Sequence, residues 1–84
     1  MIFVKLDEYV ALLGTLANYG PIDAAQITSL TSIQRDKLMV ALAFLQNQVC
    51  VRLEPSVGKA LSDYTITERG FRVLRFFTHL TPKA

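Results

Sequence analysis

Residues 48–74 read Gln-Val-Cys-Val-Arg-Leu-Glu-Pro-Ser-Val-Gly-Lys-Ala-Leu-Ser-Asp-Tyr-Thr-Ile-Thr-Glu-Arg-Gly-Phe-Arg-Val-Leu. Val49, Val51 and Leu53 alternate with Cys50 and Arg52, as in a strand with one buried face, and Pro55 ends that strand. Ser56 to Asp63 have no periodicity and contain Gly58 among small polar residues, which predicts a loop; Tyr64-Thr65-Ile66 returns as a second strand. Thr67 then has the hydroxyl to cap a last helix, in which Val73, Leu74, Phe77 and Leu80 face inward with Phe71 and Phe76 on the flanks. The helix fades at Thr81-Pro82. Strand, loop, strand and capped helix form the second half of a winged helix, an architecture that binds DNA or protein.

Upstream, Leu6, Tyr9, Val10, Leu13, Leu16 and Ala17 recur at helical spacing, predicting a first helix from Asp7 as its cap to Tyr19. Gly20-Pro21 stops it, with Gly20 suited to a left-handed cap. Ile22 is a candidate for a very short strand, and Asp23 caps a brief second helix through Ala24, Ala25, Ile27 and Leu30. Thr28-Ser29 and Thr31-Ser32 supply turn hydroxyls, and a third helix runs from near Ser32 to Asn47 with Leu38, Ala41, Leu42 and Leu45 inward. The expected fold is therefore α+β: a three-helix bundle, a two-stranded antiparallel wing and a C-terminal helix, in one domain spanning residues 1–84.

Composition sets the bounds. The 84 residues are 51% hydrophobic with a mean hydropathy of +0.32, apolar for so small a domain, so some apolar surface is expected between subunits. The longest apolar run, Leu38 to Leu45, is far below the roughly 20 residues that span a bilayer. The apolar N-terminus is interrupted by Lys5, Asp7 and Glu8 at helical spacing and reads as structure rather than as a signal peptide. A single cysteine, Cys50, excludes an intramolecular disulfide and fits a small core residue in a reducing cytoplasm. The net charge of +2 is uneven: residues 1–48 carry three basic and four acidic side chains, residues 49–84 six and three.

One histidine, one cysteine and no carboxylate pair at a shared-cleft spacing give neither an acid/base pair nor a nucleophilic triad, so no enzyme activity is expected. The same residues make no metal-ligand spacing, the four glycines make no phosphate loop, and no cofactor is expected.

Tyr9 to Tyr19 ending in Gly20-Pro21-Ile22, then Asp-Lys-Leu-Met-Val-Ala-Leu-Ala-Phe-Leu from Asp36, then Tyr64-Thr65-Ile66-Thr67-Glu68-Arg69-Gly70 resemble small archaeal winged helix-turn-helix regulators, including one-domain types of crenarchaea and their viruses. The likeness covers nearly all of residues 6–80, and its most specific motif is the approach to the last helix. It implies transcription regulation, with the third helix in the major groove of double-stranded DNA, the wing on an adjacent groove or on phosphate, and a homodimer joined by the first and last helices. Two positions depart from the pattern. Val49 stands where glycine commonly takes a positive φ at the end of the recognition helix, so a different helix exit is expected; and Lys59 is the only basic residue of the wing.

Ser32, Gln34, Arg35 and Lys37, at the start of the third helix, offer side chains for base edges or phosphates, with Lys59 on phosphate. The rest of that helix's outer face, Ile33, Asp36, Val40, Ala43, Phe44 and Asn47, is largely apolar, so Val40 and Phe44 also suit a protein contact or burial under Ile2-Phe3-Val4. Arg69, Arg72 and Arg75, followed by His79, form a positive side of the last helix that would meet phosphate or an acidic partner. Phe3, Tyr9, Val40, Phe44 and Phe76 are the candidate protein interface, for a homodimer or for an assembly in which the chain is an accessory subunit.

Overall fold

A computed structural model describes residues 2–55, 58 and 62–80, the last two without side chains. Its first helix, α1, spans Leu6–Tyr19. The cap is Lys5 rather than Asp7: the Glu8 carboxylate reaches back and accepts from the Lys5 amide at 3.0 Å, satisfying one of the free donors of the first turn. The helix ends at Gly20 not by a left-handed turn but in extended backbone (φ −67°, ψ 156°), ahead of a cis bond to Pro21. Gly20 is required by space: a Cβ there would lie 2.6 Å from the Leu16 carbonyl oxygen.

Strand β1, Ile22–Asp23, leads directly into α2, Ala24–Thr31. Asp23 caps α2 as expected, accepting from Gln26 N at 2.9 Å while its own amide donates to the Gln26 side chain at 3.1 Å. Ser32 then adopts the left-handed conformation (φ 62°) and its N–H returns to the Thr28 carbonyl, which closes α2. Ser32 is thus the end of α2 and not the start of the next helix. Helix α3 runs Arg35–Asn47, and Ile33, expected on its outer face, is instead buried in the turn that precedes it.

The exit from α3 overturns the expectation drawn from Val49. Val49 takes φ 61°, the conformation that glycine normally supplies. Its N–H bonds to the Gln46 carbonyl and the Cys50 N–H to the Leu45 carbonyl, the paired bonds of a Schellman helix end, with Cys50 and Leu45 both buried beneath it. A left-handed β-branched residue is strained, so Val49→Gly is expected to raise stability by about 1 kcal/mol. The check is urea unfolding, in which the midpoint should rise with the slope unchanged.

The positive φ also turns the Val49 side chain outward, leaving it 62% exposed, and the strand proper begins later: β2 is Val51–Glu54. Strand β3, Asp63–Ile66, pairs antiparallel with β2 in the register Val51↔Ile66 to Glu54↔Asp63 and, on its other edge, with β1 through Ile22↔Tyr64. The sheet is three-stranded, in the order β1-β3-β2, one strand more than the wing alone. Helix α4, Glu68–Leu80, follows, with Thr67 Oγ1 accepting from Gly70 N at 3.1 Å. Leu12, Leu13, Leu16, Ile27, Leu38, Leu42 and Leu45 form the core with Cys50, Val51 and Tyr64, and Val73 and Leu74 of α4 pack against it. The fold is an α+β winged helix. Among the described residues no helix is long and apolar enough to cross a membrane.

Candidate nucleic-acid interface

Three of the four polar residues expected at the head of α3 point in different directions. Gln34 is the N-cap, exposed, with its side chain not engaged in capping. Arg35 is exposed, forms no ion pair among the described residues, and borders a shallow depression of about 250 Å³ with Ala24, Ala25 and Thr28 of α2. Lys37 faces the opposite flank, where its ammonium meets Glu8 of α1 at 3.1 Å. Ser32 sits in the turn between α2 and α3 with its side chain exposed. Lys59, expected on the wing, lies outside the described residues.

The Glu8–Lys37 pair was not visible from spacing because its partners are far apart in sequence and meet only when α1 crosses α3. The Lys5 amide hydrogen bond, followed by the Lys37 ammonium, holds the Glu8 carboxyl below its usual value of 4.5. A carboxyl whose pKa is lower folded than unfolded stabilises the fold above the unfolded value and loses that contribution as pH falls through the folded one. Wild type is therefore expected to lose stability below about pH 4.5 more steeply than Glu8→Gln, as measured by thermal melts across pH 3–6.

On α4, Arg72 pairs with Glu68 at 3.4 Å, whereas Arg69 and Arg75 form no ion pair among the described residues. All three are exposed, so the positive side of α4 exists, partly neutralised by its own Glu68. The His79 side chain lies outside the described residues. The wing's first strand adds an exposed pair that the sequence reading did not single out, Arg52–Glu54 at 2.7 Å.

The aromatic residues divide. The Tyr9 ring packs on Phe44 with centroids 5.3 Å apart, and both line an apolar groove of about 380 Å³ between α1, α3 and α4, floored by Leu13, Leu45 and Val73 with Arg69 at its edge. Phe44 stays half exposed there, its ring against Tyr9. Phe76 stacks edge-on against Phe77 at 5.4 Å and remains 59% exposed, and Phe3 is 74% exposed. Val40 lies apart from the groove, exposed on the outer side of α3. Among the described residues no group of three or more His, Cys, Asp or Glu could hold a metal ion.

No protein-family model matches the chain, and no curated protein does. Solved structures do match. The PcaV transcriptional regulator from Streptomyces coelicolor, in complex with its natural ligand, superposes with a TM-score of 0.80 at 17% identity, over 84% of this chain and 51% of that one. BpsR of Bordetella bronchiseptica, whose DNA binding is regulated by 6-hydroxynicotinic acid, gives 0.77 at 12% identity over 84% and 55%. ZitR of Lactococcus lactis, a zinc-responsive MarR family member, gives 0.74 at 22% identity over 90% and 54%. The chain thus spans about half the length of each structure it matches. At these identities the likeness establishes the fold alone, the winged helix that these regulators share. These three come from bacteria, so they lend no support to the archaeal part of the sequence resemblance.

Proposed function

We propose that this chain is a DNA-binding transcription regulator without catalytic activity that lays α3 in the major groove of duplex DNA. The observation that carries the reading is the helix-turn-helix corner, where Arg35, without an ion pair among the described residues, and uncapping Gln34 open α3 beside the first turns of α2. Arg35 meets a phosphate, Gln34 a base edge, and the exposed Ser32 hydroxyl the backbone of the same strand. Lys37, already neutralised by Glu8, contributes least of the four. Lys59 would complete the contact from the wing, and the exposed Arg69, Arg72 and Arg75 of α4 are not needed for it. The fold likeness to regulators such as BpsR supports the same reading.

Arg35→Ala is expected to weaken duplex binding several-fold and to lower the salt slope by about one unit, the signature of one lost phosphate contact. A titration at several salt concentrations that leaves the slope unchanged rejects Arg35 as that contact.

The chain acts as a homodimer on this reading, with Leu6 and Phe44 of the apolar groove and the exposed Phe3 and Phe76 as the surface a second copy covers. Light scattering at high micromolar concentration should report twice the chain mass. The same groove favours a second reading, an accessory subunit that binds a different protein in a replication or transcription assembly; there duplex DNA would not bind, and Phe44→Ala or Arg72→Glu would release the partner. A regulator of this kind works in the cytoplasm, where Cys50 stays reduced.

A further inference from the structure

The outward side of α3 is apolar where a base-reading helix is commonly polar, and this gives the proposed DNA contact a chemical preference. Leu38, Ala41, Leu42 and Leu45 fix the inward side. At about 100° per residue the opposite side carries Asp36, Val40, Ala43 and Asn47, with Met39 next to them. Met39 and Val40 are each 40% exposed, and Ala43 is exposed as well. The cations of α3 lie off this stripe: Lys37 on the α1 flank with Glu8, and Arg35 on the α2 flank beside Ala24, Ala25 and Thr28.

Apart from the Asn47 amide at its far end, such a stripe has nothing to offer a phosphate, and Asp36 at its head is repelled by one. Over base edges the position reverses. The thymine C5-methyl is the apolar group of the major groove, and the exocyclic amines of cytosine and adenine are the donors a carboxylate accepts. The small Ala43 side chain leaves the helix axis free to approach the groove floor.

We propose that Met39, Val40 and Ala43 read thymine methyl groups, so that this chain selects sites with neighbouring thymines, with Asp36 accepting from an exocyclic amine beside them. The proposal rests on the DNA-binding reading above and names the specificity of that same surface.

The test uses a duplex selected by the wild-type protein from a random pool, and the same duplex resynthesised with deoxyuridine for thymidine, which deletes the methyl groups and keeps the base pairing. Wild type is expected to bind the uracil duplex about threefold to fivefold more weakly for each methyl contacted. The double variant Met39→Ala/Val40→Ala, altered only at exposed positions and checked for folding by circular dichroism, should lose most of that discrimination, keeping at most the share that Ala43 supplies. Equal wild-type affinity for the two duplexes overturns the methyl reading and leaves DNA binding standing. Discrimination undiminished in the double variant overturns the assignment to Met39 and Val40. Failure to select or bind any duplex overturns the DNA-binding reading and this proposal with it. A double variant that binds DNA as wild type does but no longer self-associates makes the stripe a protein surface, which also overturns it.

Discussion

Gly70→Ala is expected to be the most damaging single-methyl change in the chain, costing about 3 kcal/mol or more, or roughly 12–24 °C in melting temperature for a domain of this size. A Cβ at Gly70 would stand 2.2 Å from the Cys50 carbonyl oxygen and 2.6 Å from Ile66 Cγ1. Ile66 has a side chain that can rotate, but the Cys50 carbonyl is fixed: it accepts from the Thr67 amide at 3.0 Å, and the Cys50 amide is itself bound to Leu45. Relief therefore requires the start of α4 to move away from the end of α3. Circular dichroism melts decide the matter, and a variant within about 3 °C of wild type would mean that this crossing is far looser than the structure has it.

Thr67→Val, at the same crossing, should cost roughly 2 kcal/mol. The Thr67 hydroxyl does two things at once: it accepts from Gly70 N at 3.1 Å, capping α4, and it donates to the Val49 carbonyl at 2.5 Å, holding the left-handed exit of α3. Valine keeps the shape and deletes both bonds. Thr67→Ser keeps both and should stay within roughly 0.5 kcal/mol of wild type in urea unfolding. Equal losses in the two variants would show that the methyl group, and not the hydroxyl, is what matters. The functional consequence is that α3 is aimed by α4: the helix proposed to enter DNA is fastened at its far end to the helix proposed to join subunits.

This crossing also shows what the sequence made legible and what it hid. Thr67 as a cap, Asp23 as a cap and an antiparallel strand pair, expected over 49–53 and 64–66 and found over 51–54 and 63–66, were readable because each depends on local chemistry or short-range alternation. Val49 was not. Its own preference is against a positive φ, and the conformation is imposed by bonds from Gln46, Leu45 and Thr67 that exist only in the assembled fold. Ile33 and Ser32 were misplaced for a related reason: a helical template extended back by three residues matches the hydrophobic pattern equally well, while the left-handed Ser32 breaks the helix and turns Ile33 inward.

The candidate site was less legible than the fold. Counting cations at the head of α3 found Arg35 and Lys37 but could not tell that Lys37 belongs to Glu8, a partner 29 residues earlier. Helical spacing on α1 selects Leu6, Tyr9 and Val10, which line the open groove, and not Leu12, which is fully buried. Periodicity finds an apolar side of a helix; which part of it is covered depends on neighbours that α1 meets only in three dimensions, here α2, β3 and α4.

The central claim, that this winged helix binds duplex DNA through α3, is tested most directly by titrating wild-type protein into a random-sequence duplex from about 50 to 200 mM salt, with the Arg35→Ala variant alongside. The account predicts binding at the low-salt end that weakens linearly in log–log coordinates, with a shallower line for Arg35→Ala by about one unit. No binding by the wild-type protein at about 50 mM salt would contradict it and leave the apolar groove between α1, α3 and α4 as the functional surface.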